Sequence, residues 1–87
     1  MELFPSLQPG KTYEVKIKGG RTAKRIFKYT EKRFGFVTCH VFTSKITGEV
    51  TASYDQATET LTLSGKQLPT SEISIPEYDL LLVREVA

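Results

Sequence analysis

The chain has one cysteine, one histidine and no long apolar run. A single cysteine, Cys39, excludes an intramolecular disulfide and any zinc site built on cysteines of this chain alone. A single histidine, His40, cannot by itself form a histidine-based metal site. No stretch approaches the ~18 apolar residues that a membrane span needs. The opening Met-Glu-Leu-Phe-Pro lacks a basic segment followed by an apolar run. No secretory leader is expected on that ground, and a cytoplasmic location is. Cys39 and His40 are neighbours, but strand alternation sends their side chains to opposite faces, which disfavours a nucleophile–base pair between them. The spacing of a phosphate-binding P-loop is missing as well. These absences predict a protein that is not an enzyme and holds no cofactor or metal.

Acids are scarce in one half of the chain and cations in the other. Between Lys11 and Lys45 lie ten Lys and Arg residues and two acids, Glu14 and Glu31, a net charge of +8. From Ile46 to Ala87 there are seven acids against Lys66 and Arg84, a net charge of −5. Polarity of this kind bears on partners rather than on fold. The basic half also carries Phe27, Tyr29, Phe34, Phe36, His40 and Phe42, so the first candidate partner is a polyanion. The strand pattern predicts that Lys16, Lys18, Lys24 and Lys28 form one basic patch.

Length and composition fit a single small domain over residues 1–87, 39 % apolar and 25 % charged. Turn signals recur at short intervals, among them Pro9-Gly10, Gly19-Gly20, Thr30–Arg33, Thr47-Gly48, Asp55–Thr58 and Ser64-Gly65-Lys66. The segments between them are rich in Val, Ile, Thr, Phe and Tyr, which predicts short antiparallel strands. In the first strand Tyr13, Val15 and Ile17 alternate with Glu14, Lys16 and Lys18, so one face is buried and the other wet. Further strands are expected over about 23–29, 34–43, 49–54, 59–64, 72–75 and 80–86, with a hairpin loop at Thr30–Arg33. No window carries a convincing helical period. The expected fold is all-β: a small antiparallel barrel or barrel-like sandwich of six or seven strands, SH3-like or OB-like in style. Its expected core contains Tyr13, Val15, Ile17, Val37, Val41, Leu61, Leu63 and Leu82.

Phe34 to Thr43 is apolar on both faces, and two readings compete. The strand is either central and buried on both sides, or it carries Phe34, Phe36, His40 and Phe42 outward as an aromatic platform. Such a platform, flanked by cations, stacks nucleobases while Lys and Arg hold phosphates. Lys32-Arg33-Phe34-Gly35-Phe36-Val37 resembles the RNP1 signature of RRM and cold-shock domains, with Arg33 where that signature has its first glycine. The resemblance covers six residues and implies single-strand or RNA binding. Ile75-Pro76-Glu77-Tyr78-Asp79-Leu80 resembles the end of SH3-like barrels, which implies a 3₁₀-like turn leading into a last strand.

The function expected from these features is a non-enzymatic module binding nucleic acid, single-stranded or RNA. Lys16, Lys18, Arg21, Lys24, Arg25, Lys28, Lys32 and Arg33 would hold phosphates, and Phe34, Phe36 and His40 would stack bases. The alternative is an adaptor, accessory subunit or inhibitor that docks the same basic face on an acidic protein partner. Exposure of Phe34 and Phe36 discriminates the two, since buried rings cannot stack.

Overall fold

Over residues 6–86, which the computed structural model describes, the chain is built from strands joined by short turns. They are β1 (Thr12–Ile17), β2 (Ala23–Arg33), β3 (Val37–Thr43), β4 (Val50–Asp55), β5 (Thr60–Gly65), β6 (Glu72–Pro76) and β7 (Leu80–Glu85). A 3₁₀ turn, Glu77–Asp79, links β6 to β7, where the Ile-Pro-x-Tyr-x-Leu segment predicts one. Five strands form one antiparallel sheet in the order β6-β3-β2-β1-β7, and β4 and β5 form a separate two-stranded ribbon. The all-β expectation holds. No helix among the described residues is long and apolar enough to cross a membrane.

The sheet is bent, and connectivity requires it. In a flat sheet the edge strands β6 and β7 would lie about 19 Å apart, four strand spacings. The four residue steps from Pro76 to Leu80 span at most about 14 Å. The edges must therefore approach one another. Irregularities in the register help this curvature: a shift between Phe27 and Tyr29 in β2, and another at Lys16/Ile17 in β1.

One face of the curved sheet is the main core, made of Tyr13, Val15, Phe27, Phe42, Ile75, Leu80 and Val83. The register puts Val15 opposite Val83, Phe27 opposite Phe42 and His40 opposite Ile75, so these side chains meet on one face. Phe42 meets Phe27 and Tyr13 edge-on, with ring centroids 5.4 and 6.4 Å apart. Each such pair contributes about 0.5–1.5 kcal/mol beyond area burial. The Tyr13 hydroxyl, buried with its ring, accepts a hydrogen bond from the Gln8 N–H at 2.9 Å.

β3 is buried on both faces from Cys39 to Thr43. Phe42 joins the core. On the opposite face Tyr29 stands beside Val41 and Glu72 beside Thr43, and Lys28 and Tyr29 both reach Glu72. This polar bridge helps to cover Val41 and Thr43. His40 and Phe42 are thus interior residues, and the strand-borne aromatic platform does not form.

Three other expectations are corrected. The hairpin between β2 and β3 does not turn at Thr30–Arg33; those residues pair with His40–Val37, and the chain reverses at Phe34-Gly35-Phe36. Leu61 and Leu63 are only half-buried, because their ribbon lies outside the five-stranded sheet. Leu82 is exposed: the bulge at Lys16/Ile17 sets Leu80 and Val83, rather than Leu80 and Leu82, toward the core. Ile17 and Val37 are half-buried at strand ends, while Tyr13, Val15 and Val41 are interior.

Candidate nucleic-acid interface

The β2–β3 hairpin ends in a tight turn. Phe36 N–H donates to Arg33 O at 3.2 Å, and the two residues between them, Phe34 and Gly35, have φ of +54° and +77°. Two central residues with positive φ define a type I′ turn, which Asn-Gly suits and a bulky aromatic does not. Phe34 therefore occupies a left-handed conformation that costs a non-glycine residue roughly 1–2 kcal/mol. Nothing is gained in return from packing, since Phe34 is 85 % exposed and Phe36 77 %. Lys32, next to the turn, is exposed and has no ion-pair partner among the described residues. Arg33 is exposed, with its Nε 3.5 Å from Glu31 Oε2.

The other predicted site residues divide by their surroundings. Lys16, Lys18, Arg21 and Lys24 lie around the β1–β2 turn, without ion-pair partners among the described residues. Lys16 Nζ reaches Gly20 O at 3.5 Å. Lys24 lies opposite Glu14, and Glu14 opposite Arg84, which binds the Glu14 carboxylate at 2.6 Å. These four cations stand at the start of β2 and Phe34 beyond its end; eleven residues span about 33 Å if straight. The sequence places cations and aromatics side by side, whereas the structure separates them along one long strand.

Lys28 is drawn into an ion pair with Glu72 at 2.6 Å. The Lys28 hydrogen bond and charge hold the Glu72 carboxyl below its ordinary pKa. Acidic residues of the second half thus enter the basic strands: Glu72 at Lys28, and Glu85 at Lys11, 3.0 Å away. Lys28 accordingly does not join Lys16, Lys18 and Lys24 as a free cation. Arg25 is half-buried, and one of its guanidinium N–H groups donates to Thr43 O at 3.1 Å.

His40 cannot stack bases. It is 9 % exposed, and both ring nitrogens are engaged. Thr30 Oγ1 lies 3.0 Å from Nδ1 and Glu77 Oε1 3.3 Å from Nε2. The tautomer that satisfies both has the Thr30 hydroxyl donating to Nδ1 and Nε2–H donating to Glu77. His40 thereby ties β2, β3 and the 3₁₀ turn together. Cys39 is interior, as its place between Val37 and Val41 suggests. No group of three or more His, Cys, Asp or Glu among the described residues could hold a metal ion.

Sequence reasoning left Lys45 out of the site. It is exposed and follows β3 in a loop that Ile46 N–H fixes to Lys24 O at 2.9 Å. Its place in the basic stretch was the available signal. Compared with known protein families, curated proteins and solved structures, the chain matches none.

Proposed function

We propose that this chain is a non-enzymatic binding module that takes single-stranded nucleic acid, RNA included, on the tip of its β2–β3 hairpin. The observation that carries the reading is the pair of exposed phenyl rings, Phe34 and Phe36, on a turn whose backbone disfavours Phe34. Local strain at an exposed residue, unexplained by packing, points to a partner. A nucleobase is the chemistry that fits two bare rings beside a free cation: each stacked base contributes about 1–3 kcal/mol, and the adjacent Lys32, unpaired among the described residues, attracts phosphate. For the scaffold, we take the bent five-stranded sheet and its 3₁₀ turn as an SH3-like, barrel-like arrangement with the β4–β5 ribbon inserted between β3 and β6.

Titration of a fluorescent oligonucleotide tests the reading. The native chain should bind a single strand saturably, and more tightly than a duplex of the same sequence. Phe36→Ala should weaken binding about 5- to 150-fold, the stacking contribution expressed as a ratio. Absence of saturable binding at the lowest salt would overturn the proposal and favour the acidic protein partner.

A further inference from the structure

Arg25 differs from Arg33 and Arg84. Those two are exposed and have carboxylate partners, Glu31 and Glu14. Arg25 is half-buried, and no carboxylate among the described residues lies within ion-pair reach. Its Nε is enclosed and has no hydrogen-bond partner, while Nη1 donates to Thr43 O. Burial lowers its pKa from the ordinary value by desolvating the charge. A desolvated guanidinium with spare donors and no anion is costly. The enclosed Nε is out of a ligand's reach, so the two Nη groups are the edge of the guanidinium that can meet phosphate oxygens.

The chain just beyond Thr43 carries a second cation, Lys45. Thr43 Oγ1 accepts from Ile26 N–H at 3.1 Å, and Ile46 N–H donates to Lys24 O. Residues 43–46 are thus held to residues 24–26 at both ends, with the exposed Lys45 between the two ties. Lys24 points to the opposite face from Arg25, by alternation along β2, and is left out.

We infer that Arg25 and Lys45 form a second site, for a phosphate group, at the start of β2 and remote from the aromatic tip. As a subsite for the backbone of a strand stacked at the tip, it rests on the function proposed above; as a site for a free phosphorylated molecule, it does not. Either source offers the same oxygens to the guanidinium.

Thermal melts in inorganic pyrophosphate, against sodium chloride at matched ionic strength, test the site. The native chain should show a saturable rise in Tm at millimolar pyrophosphate. Arg25→Gln should weaken that binding about ten- to a hundredfold, the worth of a charged hydrogen bond. Lys45→Ala, an exposed change that leaves folding intact, should weaken it by a smaller but measurable factor. Lys32→Ala, at the far end of β2, should leave it unchanged. No saturable rise, or an equal loss in Lys32→Ala and Lys45→Ala, would overturn the site and indicate diffuse attraction. An oligonucleotide arm separates the two sources. Phe34→Asn should keep pyrophosphate binding whatever becomes of the strand. If Phe34→Asn also kept full oligonucleotide affinity, the aromatic reading would fall and the phosphate site would stand alone.

Discussion

On the proposed reading, Phe34 sets stability against binding at a single residue. Its φ of +54° is one that Asn adopts far more readily than Phe. Its ring is exposed, so removing it opens no cavity. Phe34→Asn should therefore stabilise the fold by about 1 kcal/mol, raising Tm by roughly 4–8 °C. The same change should cost single-strand affinity about 1–3 kcal/mol. A variant that melts higher and binds worse is the result a purely structural residue would not give. Calorimetry and oligonucleotide titration on one preparation decide it. Glu72 makes a second prediction at this scale. Its carboxyl is held below the ordinary value by Lys28, so its folded-state pKa is depressed. The stability this linkage contributes is present above the unfolded-state pKa and is lost as pH falls through the folded one. Both partners are partly solvated, so the contribution is small. Carboxyl-resolved NMR titration should find Glu72 titrating below the ordinary glutamate value, and Lys28→Ala should remove that depression.

The strands differ in how much each stabilises the molecule. Phe42 sits in β3 with both faces covered and two aromatic neighbours. Phe42→Ala should cost about 3–5 kcal/mol, a large part of the stability of a small domain. Leu63 is half-buried in a ribbon apart from the main sheet. Leu63→Ala should cost clearly less, and the amides of β4 and β5 should exchange before those of β1 and β3. Equal melting losses for the two variants would show that the ribbon shares the main core. The sequence carried part of this. β1 was legible because Tyr13 and Val15 alternate with wet residues. The 3₁₀ turn was legible from Ile75-Pro76-Glu77-Tyr78. What alternation cannot show is which strands share a sheet, so Leu61 and Leu63 looked like core although their pattern matches that of β1. Nor does it show a bulge, which moved the inward position in β7 from Leu82 to Val83. At the site, the aromatic-basic composition was readable from Lys32 to Phe36, but the turn was not. Phe-Gly is an unusual pair for a type I′ turn, so the reversal was placed three residues early, at Thr30–Arg33. That shift changes a strand-borne platform into a hairpin tip, while His40 and Phe42 are interior because their face of β3 lies against the main core.

At the scale of the whole molecule the charge polarity of the sequence is partly cancelled by the fold. β6 and β7 come from the acidic half yet lie at the edges of a sheet whose centre is basic. Glu72 compensates Lys28 and Glu85 compensates Lys11. A cation already paired with a carboxylate is not free to displace the counterions condensed on a phosphate backbone. The salt dependence of binding should therefore count the unpaired cations, not all the cations of the sequence. If about four phosphates are neutralised, log affinity for a single strand should fall against log salt with a slope of about −2.8. Lys32→Ala should reduce that slope by about 0.7, one phosphate contact, because Lys32 stands, unpaired among the described residues, beside the exposed rings of Phe34 and Phe36. The double variant Lys28→Ala/Glu72→Ala removes a mutually compensated pair and should leave the slope where it was. Phe36→Ala should lower affinity at every salt concentration with the slope unchanged, since stacking releases no counterions. Oligonucleotide titrations at several salt concentrations with these variants measure all three. A slope that fell as far in the double variant as in Lys32→Ala would mean that Lys28 leaves Glu72 for the phosphate backbone on binding, and that the ion pairs of the free protein do not define its interface.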